Sequence, residues 1–270
     1  MTKRFGQNFL TNRDARERIL AEVLKGLDTT MPDFRLWEIG PGIGAMSAMV
    51  LEAGLPLTAF EIDHGFVRLL QRVYGADPRF RLLEGDFLDT WQTERETAGP
   101  PPSIFGNLPY NVANVIVASL IEGGLVPPRM VFTLQKEAAI RMGAKIGTKD
   151  YSAFSVLCTS ACKVRLAFDL GANSFWPAPN VTSTVVVLEP RRVPICPNDR
   201  KGFSNFVRSG FASRRKTFKN NLKAKGRTEA EILAAFESLG IREDIRAEAL
   251  TPESLAALYE ALRGPALPIA

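Results

Sequence analysis

The stretch EIGPGIG, residues 38–44, stands between the apolar run Leu36-Trp37-Glu38-Ile39 and a segment, residues 45–53, that reads as a helix. A strand that runs into a glycine-rich turn and then a helix is the opening unit of an α/β fold. Its glycines permit a tight turn and a close approach of the backbone to a ligand. The pattern then repeats. Residues 57–62 read as a second strand, 64–73 as a helix, and 80–83 as a third strand ending in Gly85-Asp86. A polar, proline-containing loop is expected over 93–102 and a fourth strand at Ile104-Phe105. A helix over 112–121, a fifth strand over 130–134 and a helix over 136–142 follow. Residues 163–168 and 184–188 read as two later strands, an antiparallel pair. Such alternation predicts a mainly parallel, doubly wound, Rossmann-like sheet.

A length of 270 residues with 46% hydrophobic content suits one large domain, or one of typical size plus a small one. Glu189-Pro190-Arg191-Arg192-Val193-Pro194 has the composition of a linker. Beyond it three helices are expected, over 202–224, 229–239 and 252–262, with the first breaking near Asn220-Asn221 and Gly226. Phe211, Phe218 and Leu222 fall at helical spacing and should face a core. Two domains are therefore expected, 1–190 and 191–270, the second all-helical.

Charge divides at the same point. Residues 1–190 hold 19 Lys/Arg and 20 Asp/Glu, a net of −1, whereas residues 191–270 hold 15 and 9, a net of +6. Ten basic residues and no acidic one lie between Arg200 and Arg227. This asymmetry points to a polyanionic partner; a solvated basic helix face is the alternative. No apolar run of about 18 residues is present to span a membrane, and the N-terminus lacks an apolar signal core, so a cytoplasmic protein is expected. Cys158, Cys162 and Cys196 are odd in number and are accompanied by a single histidine, His64, which argues against a disulfide framework and a metal site. His64 itself reads as a surface residue.

Three features fall in order at the carboxyl ends of successive strands, where open α/β sheets bind ligands. The glycines of EIGPGIG, among them Gly40 and Gly42, form the turn. Glu61 ends the second strand, where a carboxylate can accept from both ribose hydroxyls of a nucleoside cofactor. Asp86 ends the third, where it can accept from an adenine amino group, with Ile62 and Phe87 placed to sandwich the ring. The glycine spacing departs from the G-x-G-x-x-G of pyrophosphate sites. It suits a nucleoside without that bridge, such as S-adenosylmethionine.

GNLPYN, residues 106–111, closes the fourth strand. Pro109 ends strand pairing and fixes its own φ, and Leu108 is pushed toward an extended conformation. One reading is an ordinary strand-to-helix turn with Asn107 as a local cap. The other follows from its resemblance to the Asn-(Pro/Leu/Ile)-Pro-Tyr motif of methyltransferases that act on exocyclic amino groups. An adenine amino nitrogen is a poor nucleophile because its lone pair is drawn into the ring. The Asn107 side-chain oxygen and the Leu108 carbonyl can accept its two N–H groups and aim the lone pair at a methyl group. Positioning then supplies most of the rate, without a special general base. Tyr110 offers a stacking face for a base that must be unstacked or flipped.

The resemblance extends along the chain. RFGQNFL (4–10) resembles the N-terminal signature of the rRNA adenine N6-dimethyltransferases. EIGPGIG, FEID, GDFL and GNLPYN match that family in order, as do LQKE (134–137), GTKDY (147–151) and SFWPAPNV (174–181). FASRRKT (211–217) resembles the family's C-terminal FxxRRKT segment, so the likeness spans roughly residues 3–225. Trp176 and Asn180 vary the usual F-x-P-x-P-K-V pattern. LQKE, the GTKDY loop and the basic helical region resemble the bacterial housekeeping branch, which dimethylates two adjacent adenines near the 3′ end of 16S rRNA in the small subunit.

The resemblance implies S-adenosylmethionine lined by Gln7, Asn8, Leu10, Gly40, Gly42, Glu61, Ile62, Asp86, Phe87 and Asn107, with the segment before Leu10 folding over it. It implies a catalytic group of Asn107, Leu108, Pro109, Tyr110 and Phe175, the last stacking on the target adenine opposite Tyr110, although Phe175 is also readable as core. Arg208, Arg214, Arg215, Lys216, Lys219 and Lys223 are the expected RNA contacts. A monomer is expected. Two alternatives stand beside this reading: the macrolide-resistance branch, which modifies 23S rRNA, and a ribosome-assembly factor for which methylation is dispensable.

Overall fold

The computed structural model describes residues 8–109 and 112–263. In chain order the elements are β1 (Phe9–Leu10), α1 (Arg13–Leu24), β2 (Leu36–Ile39), α2 (Ala45–Glu52), β3 (Leu57–Glu61), α3 (His64–Tyr74), β4 (Phe80–Glu84), α4 (Phe87–Ala98), β5 (Ser103–Asn107), α5 (Ala113–Glu122) and β6 (Arg129–Gln135). They continue with α6 (Lys136–Met142), α7 (Ala153–Ala161), β7 (Cys162–Leu170), β8 (Phe175–Trp176), β9 (Ser183–Pro190), α8 (Arg200–Gly210), α9 (Phe218–Lys223), α10 (Glu229–Ser238) and α11 (Pro252–Arg263).

Seven strands form one sheet in the order β4-β3-β2-β5-β6-β9-β7, and β1 pairs with β8 in a separate two-stranded ribbon. The pairs β2–β3, β3–β4, β2–β5 and β5–β6 are parallel, and β9 runs antiparallel to β6. Every residue of β2 and β3 is buried, as in strands covered on both faces. The chain winds outward from β2 through β3 to β4, then returns to β5 on the other side of β2. The boundary between β2 and β5 is therefore the topological switch point, whose carboxyl end opens as a crevice. Gly106 makes that boundary possible: a Cβ there would lie 2.5 Å from the Ile39 carbonyl oxygen of β2.

Contacts divide the chain into two compact units. The first comprises Met1–Ser119, Leu125–Ala139 and Val164–Pro190. The second joins Arg191–Ala270, expected to be a domain by itself, to Leu120–Gly124 and Ile140–Lys163. In this unit Tyr151 Oη donates to the Leu250 carbonyl at 2.9 Å. The three cysteines are free and buried. Burial pushes the Cys162 thiol up to about 12.

Several elements differ from expectation. The polar loop anticipated over 93–102 is largely the second half of α4. Asp86 caps that helix, Phe87, Trp91 and Glu94 anchor its buried face, and Gly99 ends it. The long helix expected over 202–224 is two helices, α8 and α9, separated at 211–217 rather than at Asn220-Asn221. Thr217 caps α9 by accepting from the Asn220 N–H. Asn221 is a clasp, not a breaker: its Nδ2 donates to the carbonyls of Gly210 at 2.6 Å and Ser213 at 3.0 Å.

Candidate active site

The turn after β2 is held by glycine geometry. Gly40, Gly42 and Gly44 have φ of 66°, 57° and 80°, the left-handed region that side chains disfavour. A Cβ on Gly42 would also come within 3.1 Å of the Phe9 ring. Glu61, at the end of β3, braces this turn. Its Oε2 accepts from the Gly42 N–H at 2.9 Å and its Oε1 from the Asp63 N–H at 2.9 Å. Each oxygen retains a lone pair for a further donor. Burial raises the Glu61 pKa against these backbone donors.

Glu38, at the base of the same turn, is 3% exposed. Burial pushes its carboxyl up to about 8, the Ser47 hydroxyl opposes that rise, and the charge of Glu61 adds to it. The Ser47 Oγ donates to Glu38 Oε2 at 2.5 Å, and no other described residue bonds to this carboxyl. The carboxyl is thus mostly neutral at pH 7. Sequence reasoning misses this residue. Its only signal in the chain is its place as the acid that opens the glycine turn.

At the end of β5, Asn107 reaches across the sequence rather than capping locally. Its Nδ2 donates to the Asn8 carbonyl at 2.7 Å. That bond fixes which end of the amide faces outward. The start of α5 is served instead by the Pro109 carbonyl, which accepts from the Val112 and Ala113 N–H groups, both at 3.1 Å. The Leu108 N–H donates to the Thr133 carbonyl of β6 at 3.2 Å. Among the described residues nothing donates to Asn107 Oδ1 or to the Leu108 carbonyl. Two acceptors are therefore held ready side by side in the chain.

These groups share one cavity of about 130 Å³. Of the expected residues, Asn8, Leu10, Gly40, Gly42, Glu61, Ile62, Asn107, Leu108 and Pro109 line it. Phe9, Glu38, Pro41, Ile43, Ala45 and Met46 complete the lining. Gln7 and Tyr110 lie outside the described residues. Two expectations need correction, for Phe87 and Phe175. Phe87 is not a wall of the cavity; it is buried, with its ring edge-on to Phe60 at 4.9 Å and stacked on Trp91 at 6.5 Å. Asp86, which is exposed, caps α4 by accepting from the Leu88 N–H at 2.9 Å through one carboxylate oxygen, and the other has no donor among the described residues. Phe175 does not present its ring to a substrate: it is 4% exposed and belongs to the core.

The expected RNA contacts lie in the second unit and are not equivalent. Arg214, Arg215 and Lys216 are exposed in the turn between α8 and α9. Arg214 donates to the Lys149 carbonyl at 2.8 Å, while Arg215 and Lys216 have no partner among the described residues. Arg208 is paired with Glu122, Lys219 with Glu243 and Glu229, and Lys223 with Glu229. The acid-free run from Arg200 to Arg227 is thus met by carboxylates from outside it. These surface pairs are weak and exchangeable.

The family described as "Ribosomal RNA adenine dimethylase" matches residues 1–263. A protein named "Ribosomal RNA small subunit methyltransferase A" in Treponema denticola is 40% identical over 268 residues, spanning 97% of this chain and 87% of its own. One of the same name in Borreliella burgdorferi is 41% identical over 220 residues, spanning 82% of this chain and 74% of its own. Among solved structures, a dimethyladenosine transferase from Plasmodium falciparum aligns with a TM-score of 0.75 at 22% identity, covering 93% of this chain and 95% of that one. The 23S rRNA methyltransferase ErmE aligns with a TM-score of 0.64 at 22% identity, covering 95% and 100%. At that identity these two structures speak to the fold, which is the Rossmann-like methyltransferase sheet.

Proposed function

The chain belongs to the ribosomal RNA adenine dimethylase family, and on that premise we propose that it dimethylates the N6 amino groups of two adjacent adenines near the 3′ end of 16S rRNA. It would act on the small subunit or its precursor, as a cytoplasmic monomer, with S-adenosylmethionine as methyl donor. The carrying observation is the pair of acceptors, Asn107 Oδ1 and the Leu108 carbonyl, that have no donor among the described residues and sit at the switch-point cavity.

The residues present fit the cofactor. The glycine turn clears space that a Cβ at Gly42 would fill, and Glu61 has lone pairs for ribose hydroxyls beside it. Ile62, partly exposed, offers an apolar face to a purine. When bound, S-adenosylmethionine supplies a methyl group activated by its sulfonium. The protein's part is positional. Asn107 and Leu108 accept the two amino hydrogens and orient the nitrogen lone pair, and the Asn8 carbonyl keeps the Asn107 amide from turning its N–H₂ toward the substrate. Arg215 and Lys216, exposed and without an ion-pair partner among the described residues, supply positive charge for the RNA backbone.

The test is labelled-methyl transfer to immature small subunits, large subunits and protein-free rRNA, comparing wild type with Asn107→Ala. Label in dimethyladenosine of the small subunit, lost in the variant, is the expected result. Label in 23S rRNA would move the chain to the resistance branch. Binding to small subunits without any label would leave it an assembly factor.

A further inference from the structure

The ribbon of β1 and β8 places two aromatic rings on one side. Its register sets Leu10 opposite Phe175 and Phe9 opposite Trp176. Directly opposed residues of an antiparallel pair project their side chains to the same face. Leu10 and Phe175 are both buried, so that face is turned into the core. Phe9 and Trp176 share the other face. Both residues of β1 line the cavity, Leu10 from the core side and Phe9 against the Gly42 turn, and Trp176 is the direct partner of Phe9. Trp176 is therefore a neighbour of the cavity wall, and it is 59% exposed. Its ring is the largest side chain among the exposed hydrophobics.

A large indole left in water beside a site for an unstacked base has an evident use. Bases stack on aromatic rings with little regard to sequence, and such stacking is a main source of affinity for single-stranded nucleic acid. The target adenine itself must reach Asn107 and Leu108, which line the cavity. A base that follows or precedes it along the strand is left at the rim, where a stacking surface holds the strand open.

We infer that Trp176 is a substrate-binding residue, the platform on which an unpaired base flanking the target adenine stacks during methyl transfer. This rests on the proposed function for the identity of the RNA, and on the ribbon register for the position.

The chain provides its own reporter. It has three tryptophans, and Trp37 and Trp91 are each 1% exposed, so the quenchable, red-shifted emission belongs to Trp176. Full-length wild type, Trp176→Ala and Trp176→Phe are compared in two assays. In methyl transfer to small subunits, Trp176→Ala should raise KM about tenfold or more, the loss expected for one base–aromatic stack, with S-adenosylmethionine affinity unchanged. Trp176→Phe should restore KM to within about threefold, because a smaller ring still stacks. In titration with single-stranded oligoadenylate, wild-type emission should be quenched. An abasic oligonucleotide with the same number of phosphates should not quench it. A KM for Trp176→Ala within twofold of wild type, or equal quenching by the abasic strand, overturns the inference. If wild type transfers no methyl to any RNA, the proposed function has failed instead, and the oligoadenylate comparison still decides whether Trp176 stacks on bases.

Discussion

Replacing Glu38 by glutamine should stabilise the protein in a way that depends on pH. The carboxyl is held up to about 8 in the folded chain, against an ordinary value of 4.5. Between those values the folded state binds more protons than the unfolded one, so stability falls as pH rises. The loss begins near 4.5 and levels off above 8. Linkage puts the cost of the ionisable group at about 1 kcal/mol at pH 5, about 3 at pH 7 and about 5 at pH 9. The amide of Glu38→Gln can still accept from Ser47 Oγ through its oxygen, and it carries no proton to lose. The variant should therefore be nearly as stable as wild type at pH 5 and more stable by about 4 kcal/mol, relative to that baseline, at pH 9. Taking the difference between the two proteins removes the titration of every other carboxylate that the substitution leaves alone. The assay is urea unfolding of the cofactor-free full chain at pH 5, 7 and 9. A difference that stays flat across this range would refute the reasoning, since it would mean that Glu38 ionises as freely in the fold as in water. A gain in stability on neutralising a pocket carboxyl would also mark Glu38 as a group kept at a cost in stability.

Four further outcomes are expected. Asn107→Ala removes one acceptor and the latch on Asn8, and kcat for methyl transfer should fall about 100-fold or more while cofactor affinity, measured by calorimetry, changes only a few-fold. Gly106→Ala places a Cβ 2.5 Å from a backbone oxygen of β2, and chemical denaturation should show a loss of about 1–3 kcal/mol. Asn221→Ala leaves the Gly210 and Ser213 carbonyls without their clasp, and the same measurement should show a cost of about 1–3 kcal/mol. Neutralising Arg215 and Lys216 together should reduce the slope of log affinity against log salt for small-subunit binding by about 2; neutralising the paired Lys219 and Lys223 should change it less.

The parts of the fold legible in the sequence share a physical cause. β2, β3, β5 and β6 are covered on both faces, so they appear as apolar runs, and in a parallel sheet each must end in a turn that polar or glycine residues announce. Position along the chain then gives position along the sheet edge, which is why the order of the strands alone gathers Gly40, Glu61 and Asn107 into one site. α4 is hidden because only Phe87, Trp91 and the neutral-looking stem of Glu94 face inward, too few to set a period. α7 is hidden for the opposite reason: it is buried over most of its surface, so polarity does not alternate along it.

Facing is what sequence order leaves open. Phe87 sits at the right strand end, yet a helix starts there, and its first turn carries the ring into the core against Phe60. The same holds for charge: a count along 200–227 finds no acid, while Glu122 reaches Arg208 and Glu243 reaches Lys219 from other elements. The aromatic pair Phe175-Trp176 is the sharpest instance. Adjacent residues of a strand point to opposite faces, so one of the two must be core and the other must be wet. Nothing in SFWPAPNV says which, since a shift of one residue in register exchanges them. The choice is made by β1, a two-residue strand at the far end of the sequence, whose Leu10 packs into the core and takes Phe175 with it. Trp176 is exposed because Leu10 is buried, and whatever this segment does for a substrate begins from that pairing.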